Sequence, residues 1–141
     1  MTQIRRQTGS ALVEFALVAP LLLLLLVGIM GIGLVINAKI VVAGAAREAG
    51  RSWAINGSDQ LARQRAAEAI RGGGLPVRGA GQILFDPERD LLLTLQGDYI
   101  AVTVQYRQPI FIPLLAGLID PASPGDGTVT LRSQALFRVE R

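Results

Sequence analysis

The sequence predicts an α+β protein in which one long N-terminal helix is followed by a short helix and a small antiparallel sheet. Three observations lead to this prediction. An uncharged, mostly apolar run of 24 residues extends from Phe15 to Ala38. A second helical pattern with a glycine stop follows, and later segments alternate apolar and polar residues with the two-residue period of half-buried strands. With 141 residues, the chain has room for one membrane span and one small domain.

The apolar run is long enough to cross a membrane, because about 20 helical residues cover the hydrocarbon core. A secretory signal peptide is one alternative, and Ala43-Gly44-Ala45 offers a cleavage pattern for it. The apolar region of such a peptide is only about 7 to 15 residues long, however, and the run here is longer. A plain, uncleaved anchor is the second alternative, and it gives no role to Gly9 and Glu14 just upstream.

The first helix is predicted to extend past the membrane to about Ile55. Apolar residues recur there on one helix face: Val42, Ala46, Ala49 and Trp53. Charged residues fall on the opposite side: Arg47, Glu48 and Arg51. Pro20 lies inside the span, where it removes one backbone hydrogen bond and favours a kink.

A second helix is predicted from Asp59 to Arg71, because three glycines after Arg71 form a strong stop signal. Its core side is predicted to hold Leu61, Ala62, Ala66, Ala69 and Ile70, and its outer side Arg63, Glu68 and Arg71. Pro76 to Gly81 is predicted to be a loop. Four strands are predicted after it: Gln82 to Phe85, Leu91 to Gln96, Tyr99 to Arg107 and Thr128 to Glu140. Gly97-Asp98 is a two-residue hairpin turn between the second and third of these strands.

An apolar cluster in the region between the last two strands is the candidate partner surface. It consists of Phe111, Ile112, Leu114, Leu115 and Leu118. Exposed apolar patches of this kind often bind other proteins. The alternative is that these side chains simply cover the sheet.

Composition argues against catalysis and metal chemistry. The chain has no cysteine and no histidine, so it lacks thiolate ligands, the commonest catalytic base and the commonest metal ligand. Asp86, Glu88 and Asp90 lie close together, but they lack the spacing of a calcium loop and Arg89 intervenes, which favours a solvated turn. We therefore expect no catalytic residue, no metal and no cofactor. The interleaved acids and bases also argue against binding to nucleic acid.

A single carboxylate near the start of the apolar run is the most specific feature of the chain. Glu14 stands five residues after Gly9, and a short polar segment with Arg5 and Arg6 precedes it. The segment resembles the cleavage site of a prepilin peptidase: Gly9-Ser10-Ala11-Leu12-Val13-Glu14-Phe15. Together with the leucine run that follows and Ala45 to Arg51, it resembles the TadE-like pseudopilins of the tight-adherence (Flp) pilus, a type IVb system. Major pilins of that system usually carry Tyr after the Glu, whereas this chain has Phe15 and a longer body.

The resemblance implies a pilin-like fold and a minor subunit that is cut after Gly9 and takes part in assembling an adhesive pilus. It divides the chain into a leader (1–9), a membrane helix with an amphipathic extension (10–55) and an extracytoplasmic α+β domain (56–141). Ser10 would become the first residue, and Glu14, with Phe15 beside it, would serve subunit assembly by pairing with the new ammonium group of a neighbour.

The implied partners are the prepilin peptidase, other pilin or pseudopilin subunits, the inner-membrane assembly machinery and membrane lipid. The implied location is the bacterial inner membrane, in a single pass with the C-terminal domain in the periplasm, or the pilus after processing. Counting basic residues does not decide the orientation, because two precede the span and three follow it closely. The alternative function is a permanently anchored periplasmic binding or adaptor module, which requires neither Gly9 nor Glu14.

Overall fold

A computed structural model of the chain describes residues 4–79, 81–110, 121 and 127–139. Seven elements follow one another in these ranges: helices α1 (Ile4–Asn56) and α2 (Asp59–Gly72), then strands β1 (Arg78–Gly79), β2 (Gln82–Ile83), β3 (Leu91–Gln96), β4 (Tyr99–Pro109) and β5 (Thr128–Arg138). The predicted α+β class is confirmed. The chain separates after Leu34 into two compact units, and the second unit is called the body below.

Helix α1 begins before the predicted start at Ser10 and ends one residue after Ile55. It continues through Pro20, whose ring lies on an exposed part of the helix. From Gly9 to Asn56 it is long and apolar enough to cross a membrane. One such helix fits a single-pass membrane protein.

The part of α1 that belongs to the body is amphipathic, as the sequence predicts. Its fully buried residues are small or branched: Ala38, Val42, Ala45, Ala46 and Ala49. The charged residues Arg47, Glu48 and Arg51 are exposed. Trp53 is half-buried, and its Nε1 donates a hydrogen bond of 2.6 Å to Asp59 Oδ1 at the start of α2.

Ser58 caps the N-terminus of helix α2, because its Oγ accepts a hydrogen bond from the Leu61 backbone N–H at 3.4 Å. The helix buries Ala62, Ala66, Ala67 and Ile70. Leu61 is 38% exposed, so its predicted core position is wrong. The helix face rotates by about 100° per residue, which brings Ala67 rather than Leu61 to the core.

The sheet has the strand order β3-β4-β5 and is antiparallel throughout. Strand β3 has the predicted bounds, and β4 extends two residues past the predicted Arg107. Every second residue of β4 is buried on the side that carries Ile100, Val102, Val104 and Tyr106, which confirms the predicted alternation. These side chains join the buried residues of α1 and α2 in one core cluster.

The predicted strand from Gln82 to Phe85 is too long. Only Gln82 and Ile83 form a strand, and they pair with Arg78 and Gly79 in a segment predicted to be a loop. Leu84 and Phe85 instead donate backbone hydrogen bonds to the Val77 carbonyl at 2.9 and 3.3 Å, and their side chains are buried. Burial of these two adjacent side chains ends the ladder, because successive strand residues point to opposite faces.

Two glycines allow a close approach between elements of the body. A Cβ atom on Gly50 of α1 would lie 2.4 Å from Phe137 of β5, and one on Gly73, just after α2, would lie 2.4 Å from Val41 of α1. No real Cβ tolerates such a distance without movement of its neighbour. The packing of the sheet and of α2 against α1 therefore depends on the missing side chain at these positions.

Tyr106 is the largest fully buried side chain. Its hydroxyl donates a hydrogen bond of 2.9 Å to the Pro76 carbonyl, thirty residues earlier in the sequence. Burial raises the pKa of Tyr106 to about 12, because the charged phenolate is poorly solvated there. The hydroxyl therefore stays protonated and remains a donor at neutral pH.

The predicted partner surface lies outside the described residues. This holds for all of its members: Phe111, Ile112, Leu114, Leu115 and Leu118. Its role stays a prediction.

Candidate functional site in the N-terminal helix

The four residues of the predicted processing and assembly site lie in α1. Gly9, Ser10, Glu14 and Phe15 are all exposed, and Phe15 is 68% exposed. Ser10 and Glu14 are one helical turn apart, and residues at this spacing are neighbours on a helix surface. The helix therefore presents a hydroxyl and a carboxylate on one side, directly before the apolar run.

The apolar run divides into an uncovered part and a packed part. No residue from Gly9 to Leu34 is buried, whereas Ala38 is fully buried and Val35 packs against the core of the body. The length without cover from Phe15 to Leu34 is 20 residues, which rises about 30 Å at 1.5 Å per residue. This length matches the hydrocarbon core of a bilayer. Glu14 stands at the boundary of that segment.

Glu14 has no ion-pair partner within the described part of the chain. The described ion pairs all lie in the body, and all of them involve arginine. A lone carboxylate in hydrocarbon costs about 2.5 to 3.5 kcal/mol on insertion scales. A cation from outside the described chain, or water at the membrane surface, therefore has to neutralise or solvate this group.

Gly9 has no steric reason to be a glycine in the described chain. A Cβ atom added there would meet nothing within 4 Å, in contrast to the crowded Gly50. It also does not adopt the positive φ that favours glycine elsewhere in the chain, as at Gly57.

The acidic residues that follow Phe85 hold a turn together. Asp90 is buried, and its Oδ2 accepts a hydrogen bond from the Asp86 backbone N–H at 2.9 Å. Asp86 Oδ1 accepts one from the Glu88 backbone N–H at 3.0 Å. Among the described residues, no group of three or more acidic side chains could hold a metal ion.

Arg63 makes contacts that the sequence did not predict. It was assigned to the outer face of α2, but its guanidinium donates to the backbone carbonyls of Pro87, Glu88 and Leu91 at 2.5, 3.0 and 3.3 Å. The outward assignment is wrong because the loop after Phe85 supplies carbonyl acceptors at that face. No signal in the sequence of α2 indicates this contact, since the acceptors lie 24 to 28 residues away.

Comparison with known protein families gives a match that lies within helix α1. The family described as TadE-like protein matches residues 9–51, which begins at the predicted cleavage site and ends within the body part of α1. This segment is similar to the TadE-like family, and the resemblance stated from the sequence is confirmed over it. The match covers 43 of the 141 residues, which is less than a third of the chain. A search of curated proteins and a search of solved structures found no match.

Proposed function

We propose that the chain is a minor pilin-like subunit, a pseudopilin, that a prepilin peptidase cuts after Gly9. In this proposal it then takes part in assembling or priming a tight-adherence (Flp) pilus. The observation that carries the proposal is Glu14, an unpartnered carboxylate at the boundary of a 20-residue helical segment that nothing in the described chain covers. The TadE-like match over residues 9–51 supports the pilus context.

Gly9 supports the processing step. It stands directly before the proposed cut, five residues before Glu14, and packing within the described chain does not require a glycine there. Cleavage after Gly9 creates an ammonium group on Ser10 and leaves Glu14 as the fifth residue. The charge of the chain then falls from +3 to +1, because Arg5 and Arg6 leave with the leader.

The new ammonium group supplies the cation that Glu14 lacks. When two such helices pack side by side, the carboxylate of one can pair with the Ser10 ammonium of the next, which neutralises both charges among apolar side chains. Removal of one partner from a buried pair typically costs about 3 to 5 kcal/mol. The pair therefore fixes the register between helices as well as attracting them. Phe15 packs beside this pair in the same interface.

The body lies on the far side of the inner membrane from the leader in this proposal, because the peptidase acts on the cytoplasmic side. The partners are then the peptidase, other pilin or pseudopilin subunits and the assembly machinery of the inner membrane. An anchored periplasmic binding module would have the same topology but would need no ammonium on Ser10.

A pair of substitutions in α1 tests the assembly role. Glu14→Gln keeps the size of the side chain and removes the charge. We expect this variant to insert, to accumulate and to be cut like the wild type, but to restore few or no pili to cells that lack the protein. Glu48→Gln is the matched control, since Glu48 is exposed on the body part of the same helix, and it should restore pili fully. Normal piliation with Glu14→Gln would overturn the assembly role.

A further inference from the structure

A cavity of about 230 Å³ lies on the surface of the body, between the end of α2 and the segment from Val77 to Pro87. Its apolar wall consists of Ala67, Val77, Ile83, Phe85 and Pro87. Three charged residues complete the lining: Arg71, Arg78 and Asp86. The cavity therefore combines two cations and one anion over an apolar floor.

The two arginines of the cavity are unpaired in the described chain. Neither side chain forms a hydrogen bond or an ion pair there, whereas Arg63, Arg65, Arg89 and Arg107 do. Two arginines that line one cavity are well suited to bind a phosphate, which accepts several hydrogen bonds in the forked geometry of arginine.

Asp86 is held in place from its own turn. Its Oδ1 accepts the Glu88 N–H at 3.0 Å, and its backbone N–H donates to the buried Asp90. The Oδ2 atom of Asp86 accepts no hydrogen bond among the described residues. A fixed carboxylate beside two free arginines selects a ligand that carries a hydrogen-bonding cation next to its phosphate. A simple anion would meet repulsion from Asp86.

Within the body, one end of this cavity lies near the first turns of the body part of α1. Gly73 follows Arg71 by two residues and packs directly on Val41 of α1. Val41 is six residues after Val35, the first residue of the body, and six helical residues rise about 9 Å. Because the apolar segment anchors the chain in this account, membrane lipids are the phosphates that the body meets at the highest local concentration.

We propose that this cavity binds the headgroup of a membrane lipid that carries a phosphate and a primary ammonium, as phosphatidylethanolamine does. Arg71 and Arg78 hold the phosphate, and Asp86 accepts a hydrogen bond from the ammonium. The apolar wall contacts the carbon atoms of the headgroup and glycerol. This site rests on membrane insertion but not on cleavage after Gly9 or on pairing of Glu14.

Native mass spectrometry of the full chain tests the site directly. The protein is reconstituted in nanodiscs with equal amounts of phosphatidylethanolamine, phosphatidylglycerol and phosphatidylcholine, released, and examined for retained lipid. We expect the wild type to retain phosphatidylethanolamine about tenfold over the other two, as the loss of charge-assisted hydrogen bonds implies. Phosphatidylglycerol lacks the ammonium, and the quaternary ammonium of phosphatidylcholine has no N–H to donate.

Three variants assign the retained lipid to the cavity. The double variant Arg71→Gln with Arg78→Gln should lose the retained lipid, and Asp86→Asn should retain phosphatidylethanolamine and phosphatidylglycerol equally. Asn keeps an oxygen that can accept the Glu88 N–H, so the turn is preserved. Arg132→Gln with Arg138→Gln is the control, because these exposed arginines of β5 do not line the cavity.

Several results would overturn the site. They are equal retention of the three lipids by the wild type, a preference for phosphatidylglycerol, or unchanged retention by the Arg71/Arg78 double variant. Incorporation into the nanodisc and thermal unfolding of the body are recorded for every variant, so that a folding defect is recognised as such. Loss of piliation in Glu14→Gln would leave these results unaffected.

Discussion

The two parts of helix α1 are both rich in apolar residues but use them in opposite ways. From Phe15 to Leu34 the large side chains are exposed, with Leu17 at 75% and Leu21 at 68%. From Val35 onwards, the helix buries mainly alanines, and the exposed face carries charges. Exposed leucine and isoleucine side chains are compatible with a lipid environment, in which a large apolar surface needs no protein partner. Alanine and glycine suit a face on which another element of the chain packs closely.

The packed part of the helix buries small side chains and the uncovered part exposes large ones, so hydrophobicity alone does not separate the two parts. Gly50 is the extreme case, because the Phe137 ring occupies the space of its missing side chain. In the uncovered part, a Cβ atom added to a glycine would meet no atom within 4 Å, and this holds for Gly28, Gly31 and Gly33. Glycine is therefore required at Gly50, where Phe137 packs, and is not required by packing at these three positions.

Introduction of a charge into either part should give the largest effects and should affect the two parts separately. Ala46 is fully buried, so Ala46→Asp places an unpaired carboxylate in the core and should unfold the body, at a cost of about 3 to 5 kcal/mol. Leu23→Asp should instead weaken insertion by about 2.5 to 3.5 kcal/mol and leave the body folded. Protease resistance of the body and the fraction of protein in membranes measure the two outcomes. A folded, resistant body in Ala46→Asp would contradict the burial of Ala46 in the core.

Addition of one methyl group to a glycine of the body part should have the next largest effect. Gly50→Ala should lower the free energy of unfolding by about 1 to 3 kcal/mol, because Phe137 has to move. Gly44→Ala is the control on the same helix, and it should raise stability by about 0.5 to 1 kcal/mol. Urea unfolding of the full chain in detergent measures both, with Trp53 as the single tryptophan reporter. Equal effects of the two substitutions would contradict the close contact.

High pH should destabilise the body through Tyr106. The folded-state pKa of about 12 lies above the ordinary value of 10, so the unfolded chain loses this proton first. The contribution of the protonated Tyr106 hydroxyl to the free energy of unfolding is complete below pH 10. It falls by about 1.4 kcal/mol per pH unit from pH 10 towards pH 12. Tyr106→Phe loses the hydrogen bond to the Pro76 carbonyl, so its free energy of unfolding at pH 7 should be about 1 kcal/mol lower than that of the wild type. This variant should not show the alkaline decline.

Urea unfolding between pH 7 and pH 12 measures the difference between the wild type and Tyr106→Phe. Tyr99→Phe is the control, since Tyr99 is half exposed. A parallel decline in the wild type and Tyr106→Phe would show that burial of this hydroxyl does not govern the alkaline response.

The two neighbouring arginines of α2 should differ by a small but measurable amount. Arg63→Gln loses guanidinium hydrogen bonds to three loop carbonyls, and we expect a cost of about 1 kcal/mol. Arg65 forms an exposed pair with Glu68 at 3.2 Å, and Arg65→Gln should cost less than about 0.5 kcal/mol. Thermal unfolding of the two variants, measured side by side, gives the difference between their losses of stability. A larger loss for Arg65→Gln would reverse the predicted order.

Local patterns were sufficient to predict much of the fold. The spacing of Val42, Ala46 and Ala49 predicts the buried face of α1, because a helix repeats every 3.6 residues. The alternation in β4 and the Gly97-Asp98 turn predict the β3–β4 hairpin, in which Gly97 has the positive φ that glycine favours.

Features that depend on distant neighbours could not be predicted in this way. The position of Arg63 depends on carbonyls that the chain brings back from a later loop, and the short β1–β2 pairing depends on burial of Leu84 and Phe85. The end of the uncovered segment at Leu34 could not be predicted either, because Val35 and Ala38 are as apolar as the residues before them. For the site, the motif that includes Gly9, Ser10, Glu14 and Phe15 is visible in the sequence, but its processing and assembly roles stay predictions.

The most direct measurement for the proposed function is the mature N-terminus. Intact mass and N-terminal sequencing are carried out on the full chain, produced with and without a prepilin peptidase and alongside Gly9→Val. We expect a start at Ser10 that requires the peptidase and is lost in Gly9→Val. A retained leader in the presence of the peptidase would contradict the account and favour an anchored binding module, and a start near Ala46 would identify the apolar run as an ordinary signal peptide.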